Sequence, residues 1–264
     1  MSATSTDPSL RSTACATAGR GGSPDCHFCP VHARCLVRGA DSDTLADWRN
    51  MMLPGRTLRA PGTALFEAGD AADTLYFVRS GCIKTCTIDR DGSERVRALY
   101  LPGDIIGIDT LDTAHHRVSA VAVTPSQVCA LPSHGVLAMM ERTPLLMRRL
   151  TRRMSHALAE AQALAGEYTA DERVAAFLLH MQARLPAAPS GAIQLSMTRR
   201  PISNYLRLAT ETVSRVITRF AARGLIRTDR QRILIDDRAV LAELAAAVAL
   251  PSPVDEDAFA RRAA

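Results

Sequence analysis

At 264 residues, 47% of them hydrophobic and with a mean hydropathy of zero, the chain has room for two compact domains with ordinary cores. No run approaches the roughly 20 apolar residues that span a bilayer; the best stretch, Ala239–Leu250, contains Glu243 and reads as a short soluble helix. The N-terminus lacks the apolar core of a secretory signal, so the expectation is a cytoplasmic chain with no membrane association. Its seven cysteines then stay reduced and serve metal binding or burial rather than disulfides. The net charge of +5 is uneven: 170–235 holds eleven arginines against four acids, a local +7, leaving −2 for the rest. Lys84 is the only lysine, so arginine is a habit of the whole chain and only its clustering points to a polyanionic partner.

In chain order, Met1 to about Pro24 is rich in Ser, Thr, Ala and Gly without periodicity and is expected to be disordered. Cys26–Cys35 is a compact Cys/His segment, followed by a short helix over Ser42–Met52. From Gly55 to Leu131 the pattern becomes short β-rich runs between glycine turns. Thr74–Val78, Cys82–Ile88, Arg95–Leu101 and Ser119–Leu131 read as strands, with Asp89-Arg90-Asp91-Gly92 as a hairpin turn. Strands at this spacing predict an antiparallel sandwich or barrel.

The period then turns helical. Met147, Leu150, Met154, Ala157, Ala161, Leu164 and Tyr168 are separated alternately by three and four residues, a heptad seam. A single helix packed on its own domain gives a similar pattern. Arg148, Arg149, Arg152 and Arg153 leave only a narrow apolar stripe, and Ala157 and Ala161 let two backbones approach closely. Both features favour a homodimer helix.

The C-terminal part opens at Thr169 with Asp171 and Glu172 as first-turn acids. Helices are expected at Asp171–Arg184, Arg199–Leu206 and Glu211–Arg223, then a strand pair over Ile226–Ile235 turning at Asp229-Arg230-Gln231, then a helix from Asp237. Arg207-Leu208-Ala209-Thr210 has the length of the turn in a helix-turn-helix. The helix after it buries Val213, Val216, Ile217 and Phe220 and turns Glu211, Ser214, Arg215 and Arg219 outward. Those outward groups can read base edges, arginine pairing with guanine and a carboxylate accepting from cytosine. A solvated surface helix carries charge too; the local +7 and the following β-wing favour double-stranded DNA.

Cys26-His27-Phe28-Cys29 followed by Cys35 is C-x2-C-x5-C, three thiols that can converge on one centre but lack a fourth. Cys82 and Cys86 share a parity on one strand and read as small buried residues, and Cys15 falls in the N-terminal tail. With His27 and His32 nearby, spacing alone leaves zinc and an iron–sulfur cluster as alternatives.

Leu195-Ser196-Met197-Thr198-Arg199, Asn204-Tyr205-Leu206 and Glu211-Thr212-Val213-Ser214-Arg215 resemble the helix-turn-helix of the CRP/FNR regulators, and the glutamate–x–x–serine–arginine arrangement its FNR branch. The similarity extends through Gly81-Cys82-Ile83-Lys84, Pro102-Gly103-Asp104-Ile105-Ile106-Gly107, His115-His116 and Asp171-Glu172-Arg173-Val174-Ala175-Ala176-Phe177, from about Cys26 to Ala247. The resemblance implies an α+β chain. A flexible N-terminus with the cysteine segment would occupy 1–40, and a cyclic-nucleotide-binding-like sensory β-roll 41–140. A dimerisation helix over 141–169, a winged helix-turn-helix over 170–250 and a tail over 251–264 would follow. It implies base contacts from Glu211, Ser214 and Arg215 to a two-fold site like TTGAT-N4-ATCAA, with Thr210, Arg219 and Arg199 completing the DNA-binding candidates. It further implies RNA polymerase as a partner and an oxygen-sensing [4Fe-4S] cluster on Cys26, Cys29, Cys35 and Cys129, the last at the position of the family's distant fourth ligand. The alternative within the family is structural zinc, or another redox or nitric oxide effector, at the same cysteines.

The chain departs from the family beside the cysteines, where Arg34 precedes the third and His27-Phe28 separate the first two. The cyclic nucleotide pattern of CRP-like relatives is incomplete: Asp109 and Arg117 are present, but Val118 follows Arg117 where a hydroxyl belongs. Enzymatic chemistry lacks a paired base and nucleophile.

Overall fold

The computed structural model describes residues 26, 29–53, 57–185, 193–195, 197–229, 232–248 and 250–251. The N-terminal stretch with Cys15, the pair His27-Phe28, the turn residues Arg230 and Gln231 and the tail after Pro251 lie outside the described residues.

Helix α1 (Ser42–Met51) starts on Asp41, whose carboxylate accepts from the Thr44 amide at 2.8 Å. Eight strands follow: β1 (Thr57–Arg59), β2 (Ala64–Phe66), β3 (Thr74–Ser80), β4 (Ile83–Ile88), β5 (Glu94–Tyr100), β6 (Ile105–Ile106), β7 (Ser119–Ala122) and β8 (Ser126–Pro132). They build two four-stranded antiparallel sheets, ordered β1-β8-β3-β6 and β2-β7-β4-β5. Phe66, Val78, Ile83, Ile106, Ala120 and Val128 fill one core of the β domain.

Alternation along β3 gives the first sheet a second apolar face. Leu75 and Phe77 point away from Tyr76 and Val78, and pack with Trp48 of α1 and Leu131 of β8. Trp48 meets Phe77 edge to face with ring centroids 4.9 Å apart. Helix α2 (Ser133–Arg142), absent from the sequence-based expectation, adds Val136, Met139 and Met140 to this core. The expected single strand over Ser119–Leu131 is two strands in different sheets. Pro125 offers no ladder N–H, and the Thr124 hydroxyl and Ser126 Oγ both accept from the Cys82 amide where the chain crosses. Gly81, at φ +85°, permits that crossing: a Cβ there would lie 2.2 Å from Ser126 Oγ.

Helix α3 (Pro144–Ala165) is the long helix of the chain. Its inner face buries Leu146 and Leu150 in the α1–α2 core and packs Leu164 against the C-terminal core. Helix α4 (Ala170–Arg184) begins with a capping box: Thr169 Oγ1 accepts from the Glu172 amide and the Glu172 carboxylate from the Thr169 amide. Then come β9 (Ile193–Gln194), α5 (Arg199–Leu206), α6 (Thr210–Ala222), the hairpin β10 (Ile226–Asp229) and β11 (Arg232–Ile235), and α7 (Arg238–Ala245). The strands pair as β10-β11-β9, a three-stranded wing whose short first-in-sequence strand the sequence did not announce. Arg207 turns the chain between α5 and α6 in the left-handed region, at φ 55°. Val96, Leu99, Leu101 and Cys82 of the β domain share one apolar cluster with Val174, Phe177, Tyr205, Val213 and Phe220, so the C-terminal domain packs directly on the outer side of β5.

Candidate functional site

The cysteine segment is wound into successive tight turns. His32 N donates to Cys29 O at 2.9 Å, Cys35 N to His32 O at 3.1 Å and Arg38 N to Cys35 O at 3.1 Å. The His32 ring shares a 2.9 Å hydrogen bond through Nδ1 with Cys26 O. Cys129 lies on β8 directly opposite Phe77 of β3, and Cys26, Cys35 and Cys129 all pack into the Trp48–Phe77 core. Burial, then repulsion from Cys35 and Cys29, lifts the Cys26 thiol to about 11. Burial lifts Cys129 to about 12, with further raising by Cys29, Cys35 and Cys26. Burial also raises Cys35, reinforced by Cys29. Each of these thiols therefore feels others of the set, and the four share one neighbourhood. Cys82 and Cys86 do not belong to it: burial dominates at both, and their charged neighbours are Asp104 and Arg184 for the first, Glu94 and Lys84 for the second.

As they stand, no three His, Cys, Asp or Glu side chains among the described residues are arranged to hold a metal ion. A single tetrahedral ion about 2.3 Å from each sulfur needs its thiols almost in contact; a multi-iron centre spans a wider gap. The donor set fits an all-thiolate centre, and a second observation agrees. Arg79, 5% exposed beside these cysteines, has Nε and Nη1 without a hydrogen-bond partner.

Arginines of α3 hold the segment from the other side. Arg149 donates to the carbonyls of Leu36, at 2.8 Å, and Arg38; Arg153, one turn later, donates to those of Arg34 and Gly103. Two of the four arginines expected to flank a solvent-facing seam are thus turned inward, because backbone carbonyls wait there. Arg34 donates to the Arg184 carbonyl and passes so close to Gly103 that a Cβ on that glycine would sit 2.7 Å from Arg34 Cβ. Arg184 in turn pairs with Asp104 and donates to His180 Nε2 at 3.1 Å. Glu160 of α3 accepts from the Tyr205 hydroxyl of α5 at 2.5 Å. Arg34, Tyr100, Asp104, Arg153, Glu160 and Arg184 surround a cavity of about 170 Å³; Asp109 and Arg117 do not line it.

The remaining sequence candidates divide. On α6, Glu211, Ser214 and Arg215 project outward. Thr210 shares a 2.9 Å hydroxyl hydrogen bond with Ser203, bracing α6 on α5, and Arg219 pairs with Asp171 of α4. Arg199 is half-buried. On α3, Met147, Met154, Ala157 and Ala161 are exposed, but Leu150 is 3% exposed within its own chain and Leu164 is half-buried. The open stripe therefore runs Met147, Thr151, Met154, Leu158, Ala161, Ala165, and the heptad spacing omits the most exposed of its large apolar side chains, Leu158. The His116 ring stacks on Phe66 at 3.5 Å between centroids.

A β domain joined through a long helix to a winged helix-turn-helix defines a two-domain DNA-binding regulator. Residues 58–143 match the cyclic nucleotide-binding domain family and 172–244 the Crp-like helix-turn-helix domain. The transcriptional activator protein Anr of Pseudomonas protegens is 37% identical over 225 residues, covering 83% of this chain and 92% of that protein. The fumarate and nitrate reduction regulatory protein of Escherichia coli K12 is 32% identical over 225 residues, covering 83% and 90%. The solved structure of FixK2 from Bradyrhizobium japonicum aligns with a TM-score of 0.65 at 29% identity, over 71% of this chain and 95% of that one. The chain belongs to the CRP/FNR family, on its FNR-type branch: it is a DNA-binding transcription regulator, and these relatives are regulators rather than enzymes. No helix among the described residues is long and apolar enough to cross a membrane.

His180, buried on α4 beside Arg184, gives the fold an acid sensitivity. Burial, then Arg184 and His156, depresses its pKa to about 3. Glu160 Oε1 lies 3.8 Å away, but the closer Arg184 donates to the same Nε2 and keeps the ring neutral. The unfolded chain therefore takes up a proton near pH 6.5 that the fold refuses until about pH 3. The contribution is fully present above pH 6.5 and is lost towards pH 3, with a slope of up to about 1.4 kcal/mol per pH unit. Urea unfolding between pH 7.5 and 5 is expected to show this slope in the wild type and its loss in His180→Gln; identical profiles would contradict the assignment.

Proposed function

We propose that this regulator is a cytoplasmic homodimer that reads oxygen through a [4Fe-4S] cluster on Cys26, Cys29, Cys35 and Cys129, binds a palindromic site like TTGAT-N4-ATCAA, and acts on RNA polymerase there. The observation that carries it is the gathering of those four thiols in one neighbourhood while Cys82 and Cys86 sit among other charges. A four-thiolate donor set is the ligation of a [4Fe-4S] cluster; zinc takes the same donors, and metal analysis separates the two. When bound, the group supplies an oxygen-labile centre whose loss is the signal.

The chain's own residues transmit that signal. The cysteine segment is tied to α3 by Arg149 and Arg153 and to the end of α4 by Arg34. An ordered segment therefore favours one placement of α3, and a released one removes that bias. The stripe Met147, Met154, Leu158 and Ala161 is the face that pairs with a second copy, in a register shifted from Leu150 and Leu164. Pairing sets two α6 helices at symmetric half-sites, where Glu211, Ser214 and Arg215 meet bases. Thr210 and Arg219 act by holding α6 in place, and Arg199 supports phosphate contact from the start of α5.

Two experiments test this reading. In anaerobically purified protein, Cys35→Ser and Cys129→Ser are expected to lose iron and acid-labile sulfide, whereas Cys82→Ala and Cys86→Ala retain both; iron lost equally from all four, or zinc in the wild type, would overturn the cluster. In fluorescence anisotropy on a duplex carrying the site, Arg215→Ala should weaken binding by about 1–3 kcal/mol and relax discrimination at one base pair. Unchanged specificity would remove Arg215 from the base-reading set.

A further inference from the structure

Three arginines are buried among the described residues, Arg79, Arg149 and Arg184. Arg149 donates to two backbone carbonyls and Arg184 pairs with Asp104. Arg79 differs: its Nε and Nη1 are buried without a hydrogen-bond partner, and it joins no ion pair among the described residues. A guanidinium never sheds its proton at physiological pH, so leaving it dry and unpaired is costly unless a negative charge belongs beside it.

The place it occupies says which charge. Arg79 is buried on β3 two residues after Phe77, at the irregularity where the pairing with β8 slips between Val78 and Ser80. Phe77 is the cross-strand partner of Cys129, so the irregularity that carries Arg79 lies two residues along β3 from that pairing. Its charge acts on Cys129 and on Cys26, in both cases lowering pKa values that burial and the neighbouring thiols raise. Four thiolates around a metal–sulfur core leave a centre with net negative charge, in a pocket built largely from Trp48, Phe77 and aliphatic side chains; Arg49 also acts on Cys26 and Arg153 on Cys35.

We propose that Arg79 is the built-in counter-charge of the cysteine centre, a positioning residue that ligates nothing but keeps an anionic metal–thiolate group stable in an apolar pocket. The inference rests on the cluster reading and extends it to a residue outside the cysteine motif. Its consequence is a reversal of sign. Without the group Arg79 is an unpaired buried charge and weakens the fold; with it Arg79 is paired and strengthens both the fold and the binding of the group.

The test compares full-length wild type, Arg79→Met and Arg79→Lys, each as metal-free protein and after anaerobic reconstitution with iron and sulfide. Arg79→Met is expected to raise the thermal midpoint of the metal-free protein, to lower that of the reconstituted protein, and to cut retained iron and sulfide several-fold. Arg79→Lys, which keeps the charge, should recover most of the retained iron. A shift of the same sign in both forms would overturn the assignment, as would wild-type iron retention in Arg79→Met or equal losses in the Met and Lys variants. A wild type that takes up zinc but no iron would overturn the cluster reading alone; the same comparison with zinc then decides for or against Arg79.

Discussion

Two arginines one turn apart on α3 make the contact on which the rest of the structure depends. Arg149 and Arg153 reach across to the carbonyls of Arg34, Leu36, Arg38 and Gly103, and so fasten the segment that follows the cysteines to the long helix. A buried hydrogen bond from a charged donor contributes about 1.5–3 kcal/mol, enough for a handful of them to hold a segment too short for a core of its own. The same grip gives α3 two faces. One, with Leu146 and Leu150, belongs to the chain's own core; the other, with Met147, Met154 and Leu158, is left open.

From that contact the two ends of the molecule are physically linked. Arg34, next to Cys35, touches the end of α4 through the Arg184 carbonyl, and Glu160 on the same α3 accepts from Tyr205 in the first helix of the helix-turn-helix. Buried residues of β5 lie in one cluster with those of α4, α5 and α6. A change at the cysteines thus meets α3 and the DNA-binding domain through packed and hydrogen-bonded neighbours, without a flexible linker between them. Burial and the nearness of the other thiols raise Cys26 and Cys129, so both stay protonated and neutral near pH 7, and a metal bound there would have to displace those protons.

Much of this was legible from residue patterns. The β runs, the hairpin at Asp89–Gly92, the helix-turn-helix and the triplet of cysteines announce themselves because each is local, its signal complete within a dozen residues. Cys129 was reached only by resemblance, since nothing in a strand sequence says that one thiol faces a segment almost a hundred residues earlier. The heptad of α3 misled at Leu150 and Leu164 because a helix that packs on its own domain and a helix that pairs share one period; burial alone separates the two stripes. Thr210 and Arg219, candidates for DNA contact, are partnered in the free chain by Ser203 and Asp171, which spacing does not reveal. Arg79 gave no signal at all, for an arginine in a strand is ordinary until its neighbours are known.

In the proposed mechanism a single centre on Cys26, Cys29, Cys35 and Cys129 governs DNA affinity. The most direct measurement titrates one anaerobic, iron-loaded sample with a TTGAT-N4-ATCAA duplex by fluorescence anisotropy, then repeats the titration after exposure to air, with iron and sulfide quantified on both. Bound iron and sulfide with tight binding are expected before air, and loss of sulfide with a tenfold or greater fall in affinity after it, about 1.4 kcal/mol or more. Equal affinity in the two titrations, whatever the metal content, would contradict the mechanism.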